Sequence, residues 1–161
     1  MAKKQQKTNA MRILDSNKIA YNMYTYEVDD NHIDGISVAQ KLNQDENMVF
    51  KTLVAQGSSK NFYVFVIPVA KNLDMKKAAK SAGEKNIEMI HVKDINKVTG
   101  YIRGGCSPVG MKKLYPTFVH ESGQNLDKII VSGGKIGFQI ELNPKDLQKI
   151  INFEYANIIS N

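Results

Sequence analysis

The sequence predicts an α/β chain of the α+β type, a mixed, curved or barrel-like sheet surrounded by helices, on three observations. Its 161 residues suit one domain, 1–161, with 1–7 as a flexible end. Hydrophobic residues make up 42% and charged residues 24%, the balance of a globular core and not of a disordered, collagen-like or coiled-coil chain. Helical and strand patterns also alternate without the regular strand–helix–strand period of a doubly wound sheet.

Element by element, Thr8 caps a helix with Ala10, Ile13 and Leu14 on one face, ending at Asn17 or Lys18. Tyr21 to Val28 reads as a strand and Ser37 to Leu42 as a short helix. Met48 to Ala55 and Phe62 to Val69 flank the polar turn Gly57 to Asn61, a β-hairpin pattern. Asp74 caps a helix with Met75, Ala78, Ala79 and Ala82 on one side and Lys76, Lys77 and Lys80 on the other, and Gly83 stops it. Ile87 to His91 is a strand, Asp94 to Val98 a helical turn, and Thr99 to Gly110 a glycine-rich loop. Strands at Thr117 to His120, Lys128 to Ser132 and Phe138 to Leu142 follow, and Asn143 with Pro144 opens a closing helix.

Composition also bounds the setting. The longest apolar run, Phe62 to Ala70, is about half of what a bilayer requires and is broken by Pro68. No apolar segment follows the polar start, so a cytoplasmic protein without membrane contact is expected. Cys106 is the single cysteine, which forbids an internal disulfide. The 22 basic against 16 acidic residues leave a net charge of +6, which favours a polyanionic partner.

Lys51 is the most informative residue. Period-two alternation places it on one face with Val49, Leu53 and Ala55. It is either an edge lysine whose stem lies on the core while its ammonium reaches water, or an ammonium aimed into a cleft toward phosphate or an ester carbonyl. The run Gly104-Gly105-Cys106-Ser107-Pro108 is the second candidate: paired glycines allow close backbone approach, Ser107 can cap a short helix, and free N–H groups can hold a phosphate or a developing oxyanion. Lys112 and Lys113 add charge nearby, and the same run also fits an ordinary turn. Val131-Ser132-Gly133-Gly134 reads as a hairpin turn with Ser132 at a strand end, and Tyr26 offers a phenol or a stacking ring. His32, His91 and His120 lack a neighbour at ligand spacing, so no metal is expected. Cys106 is either a thiolate nucleophile or a small residue filling a tight loop.

Taken together, Lys7-Thr8-Asn9-Ala10, Phe50-Lys51-Thr52-Leu53, Leu73 to Lys80, Thr99-Gly100-Tyr101, Gly104 to Lys113 and Val131-Ser132-Gly133-Gly134 resemble the YbaK/EbsC family of aminoacyl-tRNA deacylases, relatives of the editing domain of prolyl-tRNA synthetase. The resemblance implies a mixed α/β fold that hydrolyses the ester of a mischarged tRNA, chiefly cysteine on the proline tRNA, with no cofactor. It implies Lys51 and Gly104 as catalytic residues and Tyr26, Gly105, Ser107 and Ser132 as substrate-binding residues. It further implies that the substrate's own thiol attacks the ester while Lys51 holds the terminal ribose and phosphate. Prolyl-tRNA synthetase is a candidate partner. Two alternatives stay open: a water-based deacylase for alanine or another small amino acid, and a non-catalytic tRNA-binding or regulatory protein.

Overall fold

A computed structural model of the chain describes residues 7–27 and 35–160. Among them, eight strands divide between two sheets. In the smaller, β1 (Asn22–Thr25), β7 (Phe138–Leu142) and β6 (Ile129–Ser132) lie in the order β1-β7-β6, antiparallel throughout. The larger has the order β4 (Ile87–Met89), β2 (Phe50–Gly57), β3 (Phe62–Pro68), β5 (Thr117–His120) and β8 (Phe153–Ala156). Its β3–β5 and β5–β8 pairs are parallel and the others antiparallel, so the sheet is mixed as expected.

In place of the one sheet expected there are two, and they touch. Ile130 N–H donates to the Met48 carbonyl at 2.8 Å, and Val49 bridges Ile130 in parallel. The main core lies between them, with Val64, Val66 and Val119 of the larger sheet against Ile129, Val131 and Ile140 of the smaller. The other face of β3 packs Tyr63, Phe65 and Ile67 against Ala78 and Ala79. A strand buried on both faces carries a continuous apolar run in place of alternation, and this one does from Phe62 to Val69.

The helices begin where cap chemistry places them. Thr8 accepts from Met11 N–H at 3.2 Å to open α1 (Asn9–Ser16). After α2 (Gly35–Lys41), Asp74 accepts from the Lys76 and Lys77 N–H groups, both at 3.0 Å, to open α3 (Met75–Ala82). Gly83, at φ +70°, ends α3 in the left-handed conformation that glycine adopts without a Cβ penalty. A 3₁₀ turn, Val92–Asp94, leads into α4 (Ile95–Thr99), and Asn143 accepts from Lys145 N–H at 2.9 Å at the start of α5 (Pro144–Ile150).

Several boundaries differ from expectation. The first strand is shorter than Tyr21 to Val28, and Val28 lies outside the described residues, as do residues 1–6 of the expected flexible end. β4 stops at Met89 because the chain then winds into the 3₁₀ turn. No helix follows Ser107; its hydroxyl accepts from Val109 N–H at 3.2 Å and closes a tight turn instead. β8 and the 3₁₀ segment Glu121–Asn125 were not anticipated. No helix among the described residues is long and apolar enough to cross a membrane.

Thr8 does more than cap a helix, since its Oγ1 also donates to the Gly133 carbonyl at 2.5 Å and ties α1 to the turn after β6. Thr8→Val keeps the shape and removes both bonds, and is expected to cost about 1–2 kcal/mol of stability in urea denaturation. An unchanged midpoint would show that neither bond contributes.

Candidate active site

A cavity of about 510 Å³ opens where β2 loses its neighbour. β4 pairs with β2 only over Ala55 to Gly57, and Ile90 N–H to the Val54 carbonyl at 3.2 Å is the last bond. Upstream, over Lys51 to Leu53, no strand among the described residues covers that edge. Because Val54 turns its carbonyl toward β4, alternation turns the Thr52 backbone N–H and carbonyl to the same open side. The Thr52 hydroxyl is buried without a hydrogen-bond partner.

Lys51, Gly104, Tyr26 and Ser132 all line this cavity, as does Cys106. Lys51 is half-buried opposite Ile67 of β3, and no carboxylate among the described residues pairs with it. Burial alone pulls its pKa below the ordinary lysine value. Arg103 supplies a second cation, Val38, Val49, Val69 and Ile90 supply apolar walls, and no described lining residue is a carboxylate or an imidazole. Tyr26 is held by its own N–H, which donates to the Gly137 carbonyl at 3.0 Å. Ser132 accepts from Gly134 N–H at 3.2 Å and faces Gln139 across the β6–β7 pair.

The far wall consists of two glycine loops pressed together. Gly104 takes φ +85°, and a Cβ on Gly105 would lie 3.0 Å from the Ile136 nitrogen and 3.2 Å from the Lys135 carbonyl carbon. Tyr101 stands between these loops and α1. Its hydroxyl donates to the Val109 carbonyl, and a Cβ on Gly134 would meet its ring edge at 3.2 Å. Burial foremost, with the nearby Cys106, pushes the Tyr101 phenol up to about 12.

Two of the expected substrate-binding residues sit behind the wall. Gly105 donates its N–H to the Ile102 carbonyl at 3.0 Å and does not line the cavity, so that amide is spent within the turn. Ser107 is fully buried and holds the turn through Val109. Among the described residues, no protein acceptor takes the N–H of Gly104 or Cys106, and both residues border the cavity. The Cys106 thiol is pushed up to about 11 by burial, which outweighs the lowering effect of Thr99. At neutral pH it is a thiol and a poor nucleophile.

Thr52, Arg103 and the wall formed by Met89 and Ile90 were not anticipated. Arg103 could have been read from its place directly before the glycine pair, whereas Thr52 carries no sequence signal beyond an ordinary strand position. Lys76, Lys77, Lys80, Lys112 and Lys113 lie outside this cavity, and Lys77 Nζ donates to the Ile159 carbonyl at 2.9 Å. His32 lies outside the described residues, among which no three His, Cys, Asp or Glu side chains cluster as metal ligands would.

Residues 32–150 match the family profile described as an aminoacyl-tRNA editing domain. A protein of Enterococcus faecalis (strain ATCC 700802 / V583), named "Putative Cys-tRNA(Pro)/Cys-tRNA(Cys) deacylase EbsC", is 48% identical over 160 residues, 98% of each chain. The crystal structure of "a putative trans-editing enzyme for prolyl tRNA synthetase" superposes with TM-score 0.80 at 19% identity, covering 97% of this chain and 100% of that one. That of "hypothetical protein APE2540" superposes with TM-score 0.83 at 19% identity, covering 92% and 97%. At that identity the two structures bear on the fold alone, and they agree with the mixed α/β class expected from sequence.

Two stability measurements follow from this geometry. Gly105→Ala sets a methyl against backbone that cannot swing aside, and is expected to cost about 1–3 kcal/mol in urea denaturation. A wild-type midpoint would show that the loops can part freely. Lys51→Met is expected to stabilise the fold at neutral pH. Because the folded-state pKa of Lys51 lies below the unfolded value near 10.5, the unfolded chain holds that proton better. The lysine therefore carries its stability cost at neutral pH and loses it as pH rises through the folded value toward the unfolded one. The advantage of Lys51→Met should shrink over that range, and a variant less stable than wild type at neutral pH would contradict this.

Proposed function

Because the chain belongs to the aminoacyl-tRNA editing domain family, we propose that it acts in trans as a deacylase, cleaving the ester of mischarged tRNA, with cysteine on the proline tRNA as the leading substrate. The observation that carries this reading is the convergence of Lys51, Gly104, Tyr26 and Ser132 on one apolar cavity with no described carboxylate or imidazole in its lining. An amino acid the size of cysteine suits those walls, and an uncompensated cation suits a phosphate or ribose at the mouth. The name of the 48% identical relative points to the same substrate.

In this mechanism the Lys51 ammonium holds the ribose and phosphate of the terminal nucleotide. The N–H groups of Gly104 and Cys106 donate to the ester carbonyl oxygen as it gains charge, a contribution on the order of 3 kcal/mol for one well-placed donor. The substrate's sulfur attacks the carbonyl carbon, the bond from that carbon to the ribose oxygen breaks, and the thiol proton ends on the ribose hydroxyl. The product is a cyclic thiolactone, which water then opens to cysteine. A thiol with an ordinary pKa near 8.5 is already a few per cent ionised at neutral pH, so the protein's task is positioning and charge stabilisation. Tyr26 and Ser132 flank the acyl group, while Gly105 and Ser107 act as positioning residues behind the loop. Prolyl-tRNA synthetase, as the source of the mischarged tRNA, is the partner this reading implies, and the cytoplasm is where the two would meet.

Three outcomes are expected when cysteinyl, seryl and alanyl esters of the proline tRNA are compared. Wild type cleaves the cysteinyl ester at least about 100-fold faster than the other two, since a serine hydroxyl is essentially never ionised. Cys106→Ala keeps most of this activity, whereas Lys51→Ala loses it with its circular dichroism spectrum intact. Equal cleavage of all three esters would point to a water nucleophile, and a dead Cys106→Ala would restore Cys106 as the attacking group.

A further inference from the structure

A second cavity, of about 700 Å³, adjoins the first, and Met89 and Ile90 line both. The chemistry proposed above makes no use of it. Lys60 from the β2–β3 turn, Lys97 from α4, and Lys112 and Lys113 beyond Gly110 converge on it from three parts of the chain. Glu88 and Asp94 also face it, so four ammonium groups stand against two carboxylates, with the imidazole of His91 beside them. Lys112 donates to the Lys97 carbonyl at 3.2 Å. Lys60, Lys97 and Lys113 are exposed, and no carboxylate among the described residues pairs with them. Phe62 and Tyr115 form one wall, their rings edge to face with centroids 6.0 Å apart.

Lysines tracking a groove with aromatic rings in its wall are the means by which proteins bind single-stranded nucleic acid without reading its sequence. An aminoacyl ester sits at the end of a single-stranded tail. Whatever seats that ester in the first cavity must let the tail leave through adjoining space, and the lysine-lined groove opens at the Met89–Ile90 border. We propose that this groove holds the phosphate backbone of the 3′ tail of the tRNA while the ester occupies the cavity at Lys51. The assignment rests on the reading of the chain as a tRNA deacylase and adds to it the path of the polynucleotide.

The test is anisotropy titration of labelled, uncharged proline tRNA over a potassium chloride series, which requires no hydrolysis. Lys60→Glu, Lys97→Glu and Lys113→Glu are each expected to weaken binding at least about 5-fold and to lower the slope of log K against log salt by about one unit. Glu88→Gln should tighten binding, a gain that misfolding cannot mimic. Lys76→Glu and Lys80→Glu, on the exposed side of α3, should leave binding within about 2-fold of wild type. In deacylation of the charged tRNA, the groove variants should raise KM and spare kcat. They should also leave turnover of cysteinyl-adenosine, which lacks the tail, at the wild-type rate. Groove variants that bind like wild type, or α3 variants that weaken binding equally, would overturn the assignment even with deacylation intact. Groove-dependent binding without deacylation would uphold the path of the tail and sink the enzymatic reading instead.

Discussion

The approach of Gly105 to the backbone of Lys135 and Ile136, where a β-carbon would lie 3.0 Å from the Ile136 nitrogen, is the contact on which the site depends. It fixes the distance between two loops that lie about thirty residues apart in sequence, and that distance sets where Gly104 and Cys106 stand relative to Ser132. Everything around it holds the two loops in place. Tyr101 props one loop through the Val109 carbonyl and abuts Gly134 of the other. Thr8 reaches from the cap of α1 to the Gly133 carbonyl. A side chain at Gly105 would have to be accommodated by moving the backbone of Lys135 and Ile136, whereas one at Gly134 would press on the Tyr101 ring.

Against that wall stands a cation the fold does not need. Lys51 is half-buried on a strand, unpaired by any described carboxylate, and its pKa is depressed by burial. A buried charge without a partner opposes folding. Such a residue makes physical sense if an anionic ligand completes its environment, and the uncovered edge of β2 beside it leaves room for one. Cys106 shows the opposite electrostatics: the same burial that depresses the lysine holds the thiol protonated. In one cavity, desolvation therefore leaves a cation in search of a partner and silences the only thiol in the sequence.

Local chemistry explains which parts of this were legible in the sequence. Thr8, Asp74 and Asn143 cap helices through bonds to N–H groups two or three residues away, so their signals are complete within a few positions. The β2–β3 hairpin is likewise announced by two apolar runs around a polar turn. β8 was missed because its partner is β5, more than thirty residues earlier and parallel, and four residues carry little pattern of their own. The two sheets meet at Val49 and Ile130, residues far apart in sequence that no local window contains. At the site, Lys51 stood out as a charge on an apolar face, and Gly104, Ser132 and Tyr26 as a glycine loop, a strand-end hydroxyl and a ring, while the roles given to them came from the family resemblance. Gly105 and Ser107 belong to the same motif, yet their contacts run inward, a distinction that only the folded loop makes visible. Thr52 was illegible because its availability arises from the early end of β4.

The central claim is that this cavity positions the ester for attack by the substrate's own sulfur. Rapid-quench single-turnover reaction of cysteinyl-tRNA(Pro), with the released small molecule identified by mass spectrometry, tests it most directly. A thiolactone, one water lighter than cysteine, is expected to appear at the rate at which the ester disappears and to give way to cysteine afterwards. Cysteine appearing at that rate with no thiolactone at the earliest times would contradict it.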